Sequence, residues 1–187
     1  MINNKNINLK SELTYIDFAN KNISSKLISV PNLPLITREL THKSQIAIVI
    51  SNVLKLPLKS IVVLMLNNLL FLPELLKKDF ATGIKLLSEI EVLYSRKKLY
   101  LLQSQITDTS VALNNEKILT NYFYLSKKYN FIPGLSTYNL ESLITFLSHI
   151  KDIPDNLTIY TPINNISKSK SLMNFLTQSN IEFIIIK

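Results

Sequence analysis

The sequence has no cysteine and no tryptophan, and only two glycines, Gly83 and Gly134. It has two histidines, His42 and His149, and two arginines, Arg38 and Arg96. The lack of cysteine excludes a disulfide scaffold, a thiolate–metal cluster and a thiol nucleophile. Two histidines are too few for a His-rich metal site. Two isolated glycines exclude the glycine-rich loops that cradle nucleotide phosphates, which need two or three glycines close together. No metal and no cofactor is expected.

What is abundant points elsewhere. The chain has 187 residues, 47% of them hydrophobic, which suits one globular domain with a sizeable core. Lys and Arg number 21 against 13 Asp and Glu, giving a net charge of +8 and a pI near 9.5. Such an excess is an electrostatic footprint for a polyanion. Nearly all of the positive charge is lysine, beside many Ile, Asn and Leu. A/T-rich codons favour these residues. A reduced organelle or symbiont genome gives this composition, and so does an A/T-rich nuclear genome.

The most apolar stretch, Ser44 to Leu76, is interrupted by Lys55, Pro57, Lys59 and Pro73. Its longest charge-free piece, Ser60 to Pro73, is shorter than the ~18–20 residues of a spanning helix. No membrane span is expected. Residues Met1 to Lys10 are polar and Asn-rich, with neither an apolar signal core nor an Arg-rich transit pattern. The expectation is a protein made where it works, or its mature form.

Residues 1–42 read as an N-terminal extension or arm, with a short helix around Leu13–Ala19, broken by Pro31 and Pro34. Residues 43–187 read as a single α/β domain. Lys43–Lys55 is apolar on all sides, so periodicity leaves helix and strand open, with helix preferred. Ile61–Leu66 reads as a buried parallel strand, short and β-branched. A helix or broken pair then covers Leu69–Lys97, a strand Lys98–Gln103 and a helix Asn114–Tyr129. Asn130–Ile132 reads as a short strand ended by Pro133-Gly134. A helix at Leu140–Ile150, a strand at Leu157–Ile163, a helix at Lys168–Ser179 and a strand at Glu182–Lys187 complete the chain. Strands alternating with helices predict an open, mostly parallel sheet with helices on both faces.

No catalytic constellation stands out, and no enzyme activity and no small-molecule substrate is expected. Gly134-x-Ser136 matches half of a nucleophile elbow, but Tyr138 occupies the second glycine position. His149 falls on the polar side of its helix, and His42, Asp152 and Asp155 lie in loop-like sequence. Solvation or capping accounts for them. The lysines say more: Lys77-Lys78, Arg96-Lys97-Lys98, Lys127-Lys128 and Lys168/Lys170 fall at helix ends and loops, where they can meet phosphates. The bland alternative is a solvated face made Lys-rich by codon usage.

The order of segments over residues 60–187 resembles small-subunit ribosomal protein two, the S-two family. Ile61–Leu66 stands where that family has a strand before a long helix, and Leu99–Gln103 where it has the next strand. A short signature follows: Phe131-Ile132-Pro133-Gly134-Leu135-Ser136-Thr137-Tyr138-Asn139, with Tyr138 inserted between the Thr and Asn of the family pattern. Ile153-Pro154-Asp155-Asn156-Leu157-Thr158-Ile159-Tyr160 resembles the family's Pro-Asp entry to a strand. Ser179-Asn180-Ile181-Glu182-Phe183-Ile184-Ile185-Ile186 resembles its apolar strand. The family's N-terminal His-Gly segment has no counterpart, and only Leu140–Asp152 stands in place of the bacterial helical hairpin. The resemblance implies a flavodoxin-like sheet in a structural constituent of the small ribosomal subunit, in a divergent mitochondrial form encoded in the organelle. It would bind small-subunit ribosomal RNA and neighbouring ribosomal proteins without catalysis. By match to the signature, Pro133, Gly134, Thr137 and Asn139 are carried over as a loop near RNA. The charge pattern adds Lys97, Lys98, Lys127, Lys128, Lys168 and Lys170. The competing expectation is an accessory subunit of an organelle membrane complex, suggested by the apolarity of Ser44–Leu76.

Overall fold

The computed structural model describes residues 13–16, 28–31, 45–68, 80–162 and 182–186. They form six strands: β1 (Leu13–Ile16), β2 (Ile28–Val30), β3 (Leu99–Leu102), β4 (Ile132–Ser136), β5 (Thr158–Pro162) and β6 (Glu182–Ile186). The helices are α1 (Gln45–Val53), α2 (Leu58–Asn68), α3 (Phe80–Ser95), α4 (Ser104–Ala112), α5 (Glu116–Tyr129) and α6 (Leu140–Leu147). The strands build one sheet in the order β1-β6-β5-β4-β3-β2, and every pairing is parallel. This is an open α/β sheet of the flavodoxin-like class, with a strand order of its own.

The register explains the core. Val30 lies beside Leu102, Leu102 beside Leu135, and Leu135 beside Ile159, so one row of aliphatic side chains crosses one face. Buried residues of α3, α4, α5 and α6 join the same apolar cluster, which places all four helices on that face. Leu101, Thr158 and Tyr160, on the opposite face, are buried as well. Strands covered on both sides read as continuous apolar runs, as Leu99–Leu102 does. A smaller cluster packs Leu56 and Leu64 against Leu86 and Ile90, which seats α1 and α2 on the outer side of α3.

The helices follow local rules where the pattern is one-sided. In α5, Ile118, Leu119, Tyr122, Phe123 and Leu125 are buried at helical spacing. Glu116 in its first turn and Lys127 and Lys128 in its last complement the helix dipole. Asn130 ends it in the left-handed conformation, at φ 52°. In α6, Asn139 caps the start by accepting from the Ser142 amide at 3.2 Å. Leu140, Leu143, Ile144 and Leu147 then face inward.

Several expectations are corrected. Ile61–Leu66 is part of helix α2, not a buried strand. Pro57, whose fixed φ suits a helix start, accepts from the amides of Ser60 and Ile61 and opens that helix. Tertiary packing of Leu64 overrides the β-branched run Ile61-Val62-Val63. The segment that the resemblance matches to the family's strand is therefore helical. Residues 13–16 are a strand, not the start of a helix. The segment 1–42, read as an arm, supplies both β1 and β2, which stand at the two edges of the sheet. Pro133-Gly134 does not end β4 but lies within it. The expected helix at Lys168–Ser179 lies outside the described residues.

Candidate nucleic-acid interface

In a parallel sheet every strand starts at one edge, and the helix before it ends there. α3 ends at Ser95 ahead of β3, and α5 ends at Tyr129 ahead of β4. Their terminal cations are thereby gathered at the amino edge of the sheet. A cleft of about 430 Å³ opens there, lined by Lys59, Arg96, Lys97, Lys98, Tyr129 and Asn130, with Ser60, Val63, Val92 and Leu93. Four cations line it and no carboxylate does. Lys59, Arg96, Lys97 and Lys98 are exposed, and none of them makes an ion pair among the described residues.

The turn that carries Arg96, Lys97 and Lys98 is fixed by one buried tyrosine. The Tyr100 hydroxyl accepts from the Lys97 amide at 2.7 Å, shares a hydrogen bond with the Ser95 hydroxyl at 2.9 Å and donates to the Val92 carbonyl at 3.3 Å. The end of α3 and the start of β3 are thus tied to one oxygen. Arg96 sits in the left-handed region at φ 48°. A residue with a Cβ pays about 1 kcal/mol or more for that conformation. Arg96→Gly is therefore expected to raise the melting temperature while weakening binding of a polyanion. Thermal unfolding and an RNA titration on one preparation check the pair.

Behind the cleft lies a polar network. Glu89 on α3 is fully buried. Its carboxylate accepts from Lys128 Nζ at 3.1 Å, the Tyr129 hydroxyl at 2.6 Å, Asn68 Nδ2 at 2.8 Å and Asn67 Nδ2 at 3.4 Å. α2, α3 and α5 meet at this one group. Burial and the bond to Glu89 hold the Tyr129 hydroxyl well above its ordinary range, so it remains a donor. Lys128 also lies over the rings of Tyr124 and Tyr129, at 5.5 and 5.2 Å. Burial holds the carboxyl of Glu91, half-buried on α3, above its ordinary range, an effect that the charge of Lys55 partly opposes.

The expected site residues separate. Lys97, Lys98 and Lys127 are exposed at the amino edge. Lys128 shares that edge but is committed to Glu89. Pro133 and Gly134 are buried within β4. Gly134 does not have positive φ, so it is no turn glycine. A Cβ there would stand 3.0 Å from the Tyr100 carbonyl oxygen and 3.0 Å from the Tyr160 ring. Thr137 and Asn139 lie past the end of β4, at the opposite, carboxyl edge. Thr137 is buried, and its hydroxyl donates to Asp108 Oδ1 at 2.6 Å and accepts from the Asn139 amide at 2.9 Å. Asp108 Oδ2 accepts from the Tyr138 amide at 3.1 Å. These polar groups fold their own loop. Lys77, Lys78, Lys168, Lys170 and His42 lie outside the described residues. His149, Asp152 and Asp155 are exposed, and among the described residues no group of three acidic or histidine side chains could hold a metal.

Lys59 and Asn130 were not singled out in the sequence. Lys59 was hidden because its segment read as the approach to a strand, whereas a helix beginning at Leu58 turns it toward Arg96. Comparison of the chain with family models, with curated proteins and with solved structures finds no match.

Proposed function

We propose that this protein is a structural, RNA-binding constituent of a small ribosomal subunit, in a mitochondrial, organelle-encoded form, and that the amino edge of its sheet lies against ribosomal RNA phosphates. The observation that carries the proposal is the cleft with Lys59, Arg96, Lys97 and Lys98 and no carboxylate. The ends of α3 and α5 point their negative dipoles at the same edge. Each amounts to roughly half a charge, so about three positive charges remain from the four cations. Lysines on a fixed scaffold position a protein on a phosphate backbone without reading sequence. The sequence resemblance to the S-two family from Leu99 onward supports the ribosomal part of the reading, through the Phe131–Asn139 signature and the Pro154-Asp155 entry to β5, while Ile61–Leu66 departs from it. Neighbouring small-subunit proteins are the remaining partners, and the role is one of architecture, not catalysis.

The test is sedimentation of detergent-treated organelle lysate through a sucrose gradient, with and without ribonuclease. The protein is expected to travel with the small subunit and to be released by ribonuclease. Migration with detergent-solubilised membrane complexes, indifferent to ribonuclease, would overturn the proposal.

A further inference from the structure

Helix α2 is apolar on its outer side as well as its inner one. A surface helix turns its apolar stripe to the core and its polar stripe to water. The buried row of α2 is Ser60, Leu64 and Asn68, two of them polar. Its outward row is Leu58, Val62, Met65 and Leu66, spaced i, i+4, i+7 and i+8, and Leu54 in the preceding turn continues it. The exposures are large: 73% for Leu54, 79% for Leu58, 62% for Met65 and 71% for Leu66. Single exposed aliphatic residues are ordinary, but a whole helical stripe marks an interaction surface.

The chemistry of the stripe selects its occupant. Residues 45–68 contain no acidic residue, and their two charges are Lys55 and Lys59, both exposed. Lys59 flanks the stripe on the side of the basic cleft. The same face of a second copy would bring no acidic side chain of residues 45–68 to answer these lysines. The stripe is wholly aliphatic and lacks the Tyr, Trp and Arg anchors that dominate protein–protein hot spots. Aliphatic side chains flanked by lysines that can reach outward fit the boundary of an anionic bilayer, where acyl chains take the stripe and headgroups take the ammonium groups. The net charge of +8 adds long-range attraction to the same surface. No described helix is long and apolar enough to cross a membrane, so the contact is peripheral.

We propose that the outward stripe of α2, flanked by Lys55 and Lys59, docks this protein on an anionic lipid surface. The stripe shares Lys59 with the basic cleft but none of Arg96, Lys97 and Lys98, and its aliphatic residues take no part in the RNA reading, so the inference does not rest on RNA binding.

The test is co-sedimentation of the purified full chain with vesicles of phosphatidylcholine alone, or of phosphatidylcholine and phosphatidylglycerol in equal parts. The chain is expected to bind the anionic vesicles, and less so the neutral ones or at high salt. Val62→Gln combined with Met65→Gln is expected to lower partition at least about tenfold, the equivalent of roughly two buried methylenes. Both positions are exposed, so the melting temperature is expected to hold. Lys97→Glu with Lys98→Glu is expected to retain vesicle binding, which separates this surface from the RNA cleft. Equal vesicle binding by the wild type and the Val62/Met65 variant would overturn the proposal. So would absence of binding to the anionic vesicles, and a concentration-dependent dimer that the same variant dissolves would then assign the stripe to a second copy.

Discussion

Lys128→Met is expected to lower the free energy of unfolding by about 3 kcal/mol, because it strands the fully buried Glu89 carboxylate without its counter-charge. Lys128 is four-fifths buried along its side chain and 3.1 Å from Glu89 Oε1. Tyr129, Asn67 and Asn68 would still donate, but none carries a charge. For a chain of this size the loss corresponds to a melting temperature lower by roughly 6–12 °C. Lys127→Met, one residue away and exposed, is expected to change stability by no more than about 0.5 kcal/mol. Glu89→Leu together with Lys128→Met removes both charges and is expected to recover much of the loss, since an apolar pair of similar volume often replaces a buried ion pair without penalty. Urea unfolding of the four proteins reads all of this. Equal effects of the two lysine variants would show that the network does not hold α2, α3 and α5 together.

Gly134→Val is expected to cost about 2 kcal/mol or more, because its β-carbon enters a space already filled. The nearest atoms are the Tyr100 carbonyl oxygen at 3.0 Å, the Tyr160 ring at 3.0 Å and Leu101 Cδ1 at 3.2 Å. The first is backbone of β3 and cannot retreat without opening the β3–β4 pairing. The Tyr122 hydroxyl reinforces that pairing, donating to the Tyr100 carbonyl at 2.8 Å and lying 3.3 Å from the Gly134 amide. Burial holds this hydroxyl far above its ordinary range, so it remains protonated. Gly134→Ala is expected to cost less than the valine, in proportion to volume. Gly83, whose Cβ would meet nothing within 4 Å, is the internal control, and Gly83→Ala in the interior of α3 is expected to stabilise the protein by about 0.5–1 kcal/mol. Thermal unfolding of the three variants measures the difference, and a tolerated valine at 134 would contradict the close approach.

The elements legible in the sequence were those whose burial is one-sided or whose ends are marked. α5 carries a clean helical stripe, an acid at its start, lysines at its end and Asn130 to stop it. α6 begins on the Asn139 cap, and β3 and β6 are short, largely apolar runs. α2 was illegible for the reason that makes it interesting. Its stripe faces outward, so Ile61–Leu66 has no period that separates helix from strand. β4 was cut short because Pro133-Gly134 usually breaks a chain, whereas here the glycine is required by the closeness of Tyr100 and Tyr160. β1 lies in polar, Asn-rich sequence and is held by pairing with β6, far along the chain. Of the site, the lysine clusters were legible as charge. Their placement was not: the parallel sheet sends Lys97, Lys98 and Lys127 to one edge and Thr137 and Asn139 to the other. Nothing in the local sequence shows that Lys128 turns inward to Glu89, 39 residues away.

The most direct test of the RNA-binding edge is a titration of the purified chain with small-subunit ribosomal RNA at several salt concentrations. The wild type is expected to bind with an affinity that falls steeply with salt. Lys97→Glu with Lys98→Glu is expected to weaken binding to all RNAs and to reduce the salt slope by about one for each lysine. Thr137→Val, at the carboxyl edge, is expected to leave both affinity and slope unchanged. The reverse pattern, with affinity lost in the Thr137 variant and kept in the lysine variant, would place RNA at the other edge of the sheet and contradict this account.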